Sequence, residues 1–334
     1  TKYEDSLGSG NGIDFFTGTI DEVATYNRGI SFRRAQEHYA AGGGDLGVTS
    51  GATPFDATLG VAFNWDAATA SSDTLWVDTV GTIPNTGRPQ DMNWNLTGAT
   101  LNTTDVSEHP GITAAFAFDG SGSGGLHPDD FGSSDAYDSW EQLLPGGAGN
   151  FDQKSATFEM WFKPSDVDGS EVLFETGGST DGTSIVLSGD LLQFVAKDGG
   201  ERSLAEFDLD ADDDTVLDTD DFVQAVAVTD LAHDRVRLFV NGRLAQAVEF
   251  TGLDWMGSDG AGLARVDGAL GGSGSAGPFD GEIGIFRYYP WALSSLDVKV
   301  NYAAVTGTML PEPSSLALLA IGIVGLAVRR RRKT

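Results

Sequence analysis

The stretch 236–250, VRLFVNGRLAQAVEF, constrains the fold of this chain more than any other part of its sequence. Two runs in which apolar and polar residues alternate flank the dipeptide Asn241–Gly242. A type I′ hairpin turn needs positive φ at both central residues, and asparagine followed by glycine adopts those angles most readily. The stretch therefore predicts a β-hairpin of two antiparallel strands.

Further short strands are predicted along the chain before this hairpin. They are rich in apolar and aromatic residues, and glycine or proline ends several of them. The composition agrees, because 45 glycines and 11 prolines supply the turns that many short strands require. Such a series predicts an all-β fold, either an antiparallel β-sandwich or a jelly roll. The predicted strand segments are 59–65, 112–120, 157–164 and 222–230, and residues 184–200 are predicted to form a hairpin.

Two segments near opposite ends of the chain repeat each other. Residues 16–41 and 279–304 align without a gap and share Phe, Gly, Ile, Tyr, Ser and a final Tyr-Ala-Ala. Each copy predicts a strand, a turn and a short helix, and Ser294 with Asp297 has the pattern of a helix capping box. The second copy closes a long β-rich region, whereas the residues before the first copy are too few to bury a sheet face.

This repeat divides the chain into predicted regions. We expect residues 1–41 to be the C-terminal remnant of an upstream domain of the same kind in a longer repeat protein. The alternative is that this strand docks onto the second domain. Residues 42–59 are rich in Gly, Thr and Ser, which is typical of a flexible linker. Residues 60–306 are predicted to form the complete β domain, and residues 307–334 form a distinct C-terminal segment.

Charge and cysteine content exclude several functions. The formal net charge is −29, although residues 314–334 hold five of the 20 basic residues and no acidic one. The remainder of the chain is therefore even more acidic, and such a surface repels phosphate backbones, so we expect no nucleic-acid partner. The chain has no cysteine, which excludes disulfides, zinc–thiolate sites and cysteine nucleophiles.

The C-terminal segment joins an apolar run to a basic cluster, and residues 311–333 read PEPSSLALLAIGIVGLAVRRRRK. The thirteen-residue apolar run 316–328 is shorter than the about 20 residues that normally span a bilayer. Long basic side chains can extend it by reaching the interface. Because basic clusters stay on the cytoplasmic side, the pattern predicts a C-terminal transmembrane helix with the β domain exported.

The order of these features is similar to the PEP-CTERM sorting signal. That resemblance implies an exosortase-type membrane enzyme, which cuts the chain near Pro-Glu-Pro and passes it from the inner membrane to the cell surface or exopolysaccharide matrix of a Gram-negative-type bacterium. An ordinary tail anchor is the alternative. The resemblance assigns sorting and processing to Pro311, Glu312 and Pro313, and the membrane stop to Arg329, Arg330, Arg331 and Arg332.

The order of strand motifs in the β domain also resembles a known family. TFEMWFKP, LLQFVAKDGG, FVQAVAV, VRLFVNGRLA and FDGEIGIFRYYPWALSS follow one another as in the laminin-G-like, concanavalin A-like jelly roll of bacterial surface proteins. The resemblance covers residues 60–306. It implies two antiparallel sheets, one of them concave, which often bind glycans or protein ligands and often hold a structural calcium ion.

Glucanases share this fold, so hydrolysis has to be considered. Retaining glycosidases need two carboxylates about 5 Å apart, and the related glucanases take them from a Glu-x-Asp-x-Glu strand. The most similar stretch here, 282–286, keeps only Glu282, while Glu159 and Glu175 are single acids expected at exposed strand positions. We therefore expect no enzyme. The alternatives are the binding module of a polysaccharide-active hydrolase whose catalytic domain lies upstream, and a purely structural matrix protein.

An acidic stretch, residues 208–221, reads DLDADDDTVLDTDD. Closely spaced carboxylates suit calcium, which takes six to eight oxygen ligands. The stretch departs from EF-hand-like loops at Thr215, where their sharp turn needs glycine. A solvated acidic loop and a calcium site elsewhere in the fold are the alternatives. The candidate calcium ligands are Asp210, Asp212, Asp214, Asp218 and Asp221.

Seven tryptophans offer flat apolar rings. Trp161 lies within a strand pattern and is predicted to be in the core. Several others lie near loops, where an exposed ring can stack on the apolar face of a sugar, although packing over the sandwich edge is the alternative. Trp140 and Trp255 are the first candidates for ligand binding. Together these observations predict an exported, non-enzymatic protein that binds a glycan or exopolysaccharide.

Overall fold

The computed structural model describes residues 63–79, 93–126, 155–167, 169–209, 222–252, 255, 260–272, 274–289 and 292–308. All of them belong to one compact unit, residues 48–334, while a second unit covers residues 1–47. The predicted upstream remnant 1–41 and the linker 42–59 lie outside the described residues. The same holds for residues 309–334, which include the predicted transmembrane segment. Across the part that is described, no helix combines the length and apolar character that crossing a membrane requires.

The described elements are short strands followed by one helix. In chain order they are β1 (Phe63–Asp66), β2 (Leu75–Trp76), β3 (Trp94–Thr97), β4 (Thr100–Asn102), β5 (Ala115–Asp119), β6 (Gly124–Leu126), β7 (Ala156–Pro164), β8 (Ser170–Gly177), β9 (Gly182–Ser188), β10 (Leu191–Asp198), β11 (Glu201–Asp208), β12 (Val223–Asp230), β13 (Arg235–Val240), β14 (Arg243–Glu249), β15 (Ala261–Leu263), β16 (Gly277–Pro278), β17 (Asp280–Tyr289) and α1 (Ser295–Thr306).

Eight of the described strands form the first sheet, here called sheet A. Their order is β14-β13-β12-β7-β17-β5-β4, and β1 also pairs with β17. The long strand β17 pairs on one side with β7 and on the other with β5 and then β1. Its register shifts between Ile283 and Ile285. A Cβ on the intervening Gly284 would lie 2.8 Å from Ile112 Cγ2, so glycine is needed for the bulge to pack.

Nine of the described strands form the second sheet, sheet B. Their order is β11-β10-β9-β8-β15-β6-β3-β2, with β16 also paired to β8. The β16–β8 pair is parallel, whereas the other pairs of this sheet are antiparallel. The two sheets confirm the predicted all-β antiparallel sandwich of the jelly-roll type.

The predicted hairpins are confirmed. Strands β13 and β14 pair across Asn241 and Gly242, which have φ angles of 46° and 75°. Strands β9 and β10 form the hairpin predicted for residues 184–200, and Gly189 in its turn has a φ of 61°. Asn241, Gly242 and Gly189 thus have the positive φ that asparagine and glycine tolerate best.

Aromatic residues fill the core between the sheets. The Phe158 ring lies 4.8 Å from Phe174, 5.2 Å from Trp255 and 5.4 Å from Tyr288, measured between ring centroids. Trp65 stacks on another core ring, Phe286, at 5.3 Å. Aromatic rings bury large apolar areas and gain further from such tilted or offset contacts. This cluster joins residues from both sheets and stabilises the sandwich.

Helix α1 covers the outer face of sheet A. Its first turn has the predicted capping box: Asp297 N donates to Ser294 Oγ (3.2 Å), and Ser294 N donates to Asp297 Oδ2 (2.9 Å). Val298 packs with the sheet residue Val226, and Val305 packs with Trp161. Trp161 is buried, as predicted, but it lies on this outer face and stacks on Tyr302 rather than joining the core between the sheets.

The last turn of α1 is held by the loop before β5. Gly111 N donates to Val305 O at 2.9 Å, and a Cβ on Gly111 would lie only 2.8 Å from Val305 Cα. Gly307 caps the helix with a φ of 69° and lies against Pro110. The helix therefore ends at a defined position on the sandwich.

Candidate functional site

The outer face of sheet B carries a row of polar side chains on β10 and β11. Leu192, Phe194 and Ala196 point into the core, so the alternating residues of β10 point outward. Register pairs each outward residue of β10 with one of β11. We call five exposed or half-buried members of these pairs the sheet B patch: Gln193, Lys197, Arg202, Leu204 and Glu206.

A segment without regular structure covers the neighbouring part of this face. Leu270 packs on Val172 and Val186 of β8 and β9. A Cβ on Gly271 would lie 2.3 Å from Thr183 O, so the segment runs directly on the sheet. It reaches β10 at Val195, which is buried beside it. Beyond Val195 the sheet is uncovered by this segment, and the sheet B patch begins there.

The sheet B patch offers several kinds of hydrogen-bonding group beside the apolar Leu204. Gln193 Nε2 donates to Glu206 Oε1 at 2.5 Å, and Lys197 Nζ donates to Ser179 O at 2.7 Å. Arg202 Nε makes a long contact of 3.4 Å to Gly272 O. Amide, ammonium and guanidinium donors next to a carboxylate acceptor can exchange hydrogen bonds with a ligand rich in hydroxyl groups.

The prediction that Glu159 is an exposed strand residue is wrong. Its side chain is completely buried between sheet A and α1. Such burial costs free energy unless partners satisfy the charge and every oxygen. Here Oε1 accepts hydrogen bonds from Trp161 Nε1 (3.2 Å), Gln224 Nε2 (2.8 Å) and Arg287 Nη1 (3.1 Å), and Oε2 accepts from Tyr289 Oη (2.9 Å) and Asn301 Nδ2 (2.7 Å).

The Glu159 carboxylate raises the pKa values of two of its partners, Arg287 and Tyr289. Burial, the largest effect, would by itself lower the pKa of Arg287, but the nearby negative charges, Glu159 first among them, together outweigh it and the pKa rises, so the guanidinium stays charged. Burial and then the same carboxylate raise the pKa of Tyr289 well above its ordinary value, so its hydroxyl remains a donor. With these donors in place, Glu159 joins three strands to the helix and is closed to any ligand.

Glu175 was also predicted to be exposed, and this prediction is wrong too. It is fully buried beneath the segment that covers β8. Its Oε1 accepts a hydrogen bond from Asp267 N at 2.8 Å, and its Oε2 accepts one from Gly271 N at 3.2 Å. The carboxylate thus anchors the covering segment to the sheet.

Glu282, the acid that remains of the glucanase-like pattern, lies on the outer face of sheet A. Its side chain is 14% exposed and forms an ion pair with Lys163 at 2.5 Å. Its Oε1 accepts a hydrogen bond from Asn102 Nδ2 at 2.9 Å. All three strand carboxylates considered for hydrolysis are therefore engaged by groups of the protein itself.

The tryptophan prediction has to be corrected at Trp255. The ring is only 1% exposed and packs against Phe158 and Tyr288 in the core, so it offers no open face for a sugar. Its position near loops in the sequence did not reveal the aromatic pocket that receives it. Trp140 lies outside the described residues.

The remaining predicted site residues also lie outside the described part of the chain. They are the calcium candidates between Asp210 and Asp221, the processing residues 311–313 and the basic residues 329–332. Among the residues whose placement is described, no group of three or more His, Asp or Glu side chains is arranged to hold a metal ion.

Comparison with known families supports both resemblances. Residues 135–299 match the concanavalin A-like lectin/glucanases superfamily. Residues 310–332 match the PEP-CTERM protein-sorting motif. The chain therefore carries a concanavalin A-like β-sandwich domain. More particularly, this domain is followed by a PEP-CTERM sorting motif, as the sequence predicted.

Similar solved structures include three botulinum neurotoxin binding domains. They are the serotype D domain (12% identity, TM-score 0.47), the DC domain in complex with rat synaptotagmin II (11%, 0.48) and the DC domain in complex with SialylT (12%, 0.48). The alignments cover 73%, 75% and 75% of this chain but only 51%, 52% and 52% of those structures, so this chain spans about half their length. Comparison with curated proteins found no match.

Proposed function

We propose that this chain is an exported, non-enzymatic glycan-binding protein that acts at the cell surface or in the exopolysaccharide matrix. The sorting motif at residues 310–332 supports export through an exosortase-type enzyme that acts at Pro311, Glu312 and Pro313. The concanavalin A-like match over residues 135–299 supports carbohydrate as the ligand class.

The observation that carries the proposal is the contrast between acids enclosed by the scaffold and polar side chains that stay at the surface. Glu159 and Glu175 are buried in the scaffold, and Glu282 is paired with Lys163, which favours binding over hydrolysis. The sheet B patch, in contrast, presents donors and an acceptor at the surface next to Leu204. A polar surface of this kind suits a sugar chain whose hydroxyl groups both donate and accept.

Calcium is part of the proposal at the acidic stretch 210–221. This stretch follows directly on β11, the strand that carries Arg202, Leu204 and Glu206. Its alternating aspartates have the donor chemistry that calcium prefers. An ion held there would order the chain at the end of the patch strand and strengthen glycan binding.

A glycan array tests the ligand class and the surface together. We expect binding by the unmodified protein, at least about tenfold weaker binding by the double variant Lys197→Ala/Arg202→Ala, and weaker binding in EDTA. Arg243→Ala is the matched control, because Arg243 is an exposed cation on β14 of the other sheet. Absence of binding to every glycan would favour the structural-matrix alternative.

Sorting is tested separately, by measuring whether the residues after Pro313 are still present on the exported protein. We expect surface-extracted protein to lack the residues that follow the Pro-Glu-Pro, as measured by intact mass. The double variant Pro311→Ala/Pro313→Ala should accumulate in the inner membrane with its tail intact. Finding the complete tail on mature surface protein would contradict processing.

A further inference from the structure

Two cations lie directly opposite each other on the outer face of sheet B. The register pairs Lys197 of β10 with Arg202 of β11. Four residues further along β11, Glu206 N points away from β10 and donates to Gln246 Oε1 of β14 at 2.5 Å. Hydrogen-bonded and non-hydrogen-bonded pairs alternate along an antiparallel ladder, so Lys197 and Arg202 form a non-hydrogen-bonded pair, the kind whose side chains lie closer together. Like charges placed directly opposite destabilise a sheet, so the fold itself gains nothing from this pair.

Among the described residues, no acid neutralises this pair. Neither Lys197 nor Arg202 takes part in an ion pair there. The chain has 49 acidic and only 20 basic residues, so two adjacent cations without an acidic partner indicate that a ligand supplies the acid. Four strand cations of sheet A, in contrast, each pair with an acid of the protein: Lys163, Arg235, Arg237 and Arg287.

Backbone carbonyls direct both cationic groups to one place, here called the cationic corner. Lys197 Nζ donates to Ser179 O at 2.7 Å, and Arg202 Nε lies 3.4 Å from Gly272 O. The two carbonyls belong to neighbouring segments, because Gly272 N donates to Gly178 O at 3.1 Å. Each contact uses one donor, whereas an ammonium has three and a guanidinium five, so the remaining donors can bind a ligand.

The acids nearest the cationic corner leave it positively charged. Asp198 and Glu201 form the next pair of the ladder, and they lie on the opposite face because successive side chains alternate. Asp181 Oδ1 accepts a hydrogen bond from Gly199 N in the β10–β11 turn at 2.6 Å. Glu206 shares the outer face, but it lies four residues further along β11, about 13 Å away. Charges beyond about 8 Å are largely screened at physiological salt, so the acidity of the whole chain does not cancel the two cations.

We propose that the cationic corner binds the carboxylate of an acidic sugar, so that the glycan of the proposed function, on which this inference rests, is an anionic polysaccharide. A guanidinium binds a carboxylate through two parallel hydrogen bonds, and the ammonium beside it adds a further charged donor. Leu204, the next outward residue of β11, offers an apolar contact to a sugar ring. Gln193 and Glu206 lie beyond it and bind hydroxyl groups.

Three polyuronates and their carboxyl-reduced forms test the inference with the full chain. Polygalacturonate, alginate and hyaluronate carry the charge, and reduction replaces each carboxylate by a hydroxymethyl group while it keeps the linkages. We expect at least one polyuronate to bind about tenfold more tightly than its reduced form, and we expect this preference to shrink as the NaCl concentration rises.

The results distinguish this inference from the proposed function. Equal affinity for the charged and reduced polymers overturns the inference and leaves glycan binding intact. Binding to neutral glycans of the array without binding to any polyuronate overturns it in the same way. Absence of binding to every glycan overturns both.

Variants show whether the two cations carry the preference. Lys197→Gln/Arg202→Gln keeps hydrogen-bond donors but removes both charges, so it should bind the charged and reduced polymers about equally. Its Tm should be unchanged or slightly higher, because the repulsion between the cations is gone, and this result separates lost binding from lost folding. A preference for the polyuronate that persists in this variant overturns the inference, because the carboxylate would then bind elsewhere.

Arg243→Gln is the matched control. Arg243 is an exposed cation on β14, and the register places it opposite Val240 rather than opposite a second cation. This variant removes one positive charge from the other sheet, so its preference for the polyuronate should equal that of the unmodified protein. A preference lost equally in Arg243→Gln would assign the effect to net charge and overturn the cationic corner as the site.

Discussion

The outer faces of the two sheets are covered in different ways. On sheet A a capped helix lies over the strands, and the polar side chains beneath it form a closed network around Glu159. On sheet B an irregular segment covers β8 and β9 and stops at Val195, so the sheet B patch stays accessible. A charged residue on a strand can thus be buried in the scaffold or exposed at the surface. The helix or loop that covers its face of the sheet decides which.

The largest expected effect concerns the closed network of sheet A. Glu159→Ala leaves the buried Arg287 without its carboxylate, and breaking a buried pair in this way costs about 3–5 kcal/mol of unfolding free energy. Urea denaturation measures the change. Glu201→Ala, at an exposed position of β11, should stay within about 0.5 kcal/mol. A loss below about 1 kcal/mol for Glu159→Ala would mean that water reaches the network, and the contrast between the faces would fail.

The next prediction concerns the covering segment of sheet B. Gly271→Ala places a methyl group 2.3 Å from Thr183 O and 2.4 Å from Thr176 O, so the segment must move away from the sheet. We expect a loss of about 1–3 kcal/mol in unfolding free energy and altered binding at the adjacent patch. Gly200→Ala is the control, because nothing lies within 4 Å of the position that its new methyl group would occupy. Equal stability of the two variants would show that the segment is not held against the strands.

A smaller effect is expected at the start of α1. Ser294→Ala removes the oxygen that accepts from Asp297 N, which should cost about 1 kcal/mol. Ser294→Asp keeps an acceptor and should retain most of the stability. Thermal unfolding of the two variants measures the difference. If Ser294→Ala unfolds like the parent, then packing alone holds the helix on sheet A.

The smallest effect is a pH dependence on sheet B. Burial, with the nearby Asp166 and Asp280 charges adding to it, raises the pKa of Glu171 from 4.5 to about 7. The folded state therefore holds a proton that the unfolded state has lost, so stability falls as pH rises from about 4.5 to about 7 and then levels off. Glu171→Gln should flatten this slope by a few tenths of a kcal/mol, because solvent screens this partly exposed group. A slope unchanged in Glu171→Gln would assign the pH dependence to other carboxylates.

Local patterns predicted the strands and turns well. The hairpin at Asn241–Gly242 and the capping box at Ser294 depend on residues close together in sequence, whose side chains or φ angles act locally. The apolar and aromatic run 157–164 identified β7, and the concanavalin A-like order of strands was found again by the family match. These features needed no knowledge of the partner strands.

Burial of the strand acids could not be predicted in the same way. Glu159 is satisfied by groups from β12, β17 and α1, and the most distant of them, Asn301, is 142 positions away in sequence. One signal was present: in TFEMWF nearly every neighbour of Glu159 is apolar, which is typical of a strand covered on both faces. The prediction of an exposed Trp255 was wrong for a related reason. The rings that bury it, Phe158 and Tyr288, lie on β7 and β17, far from it in sequence.

The fixed end of α1 limits how far Pro311 can lie from the folded domain. Gly111 and Pro110 hold the helix at Val305 and Gly307, so the chain leaves the sandwich at one point. From Thr306 to Pro311 there are five peptide steps, which span at most about 18 Å when fully extended. An enzyme that acts at Pro311 must therefore work within about 18 Å of the end of α1, close to the folded sandwich.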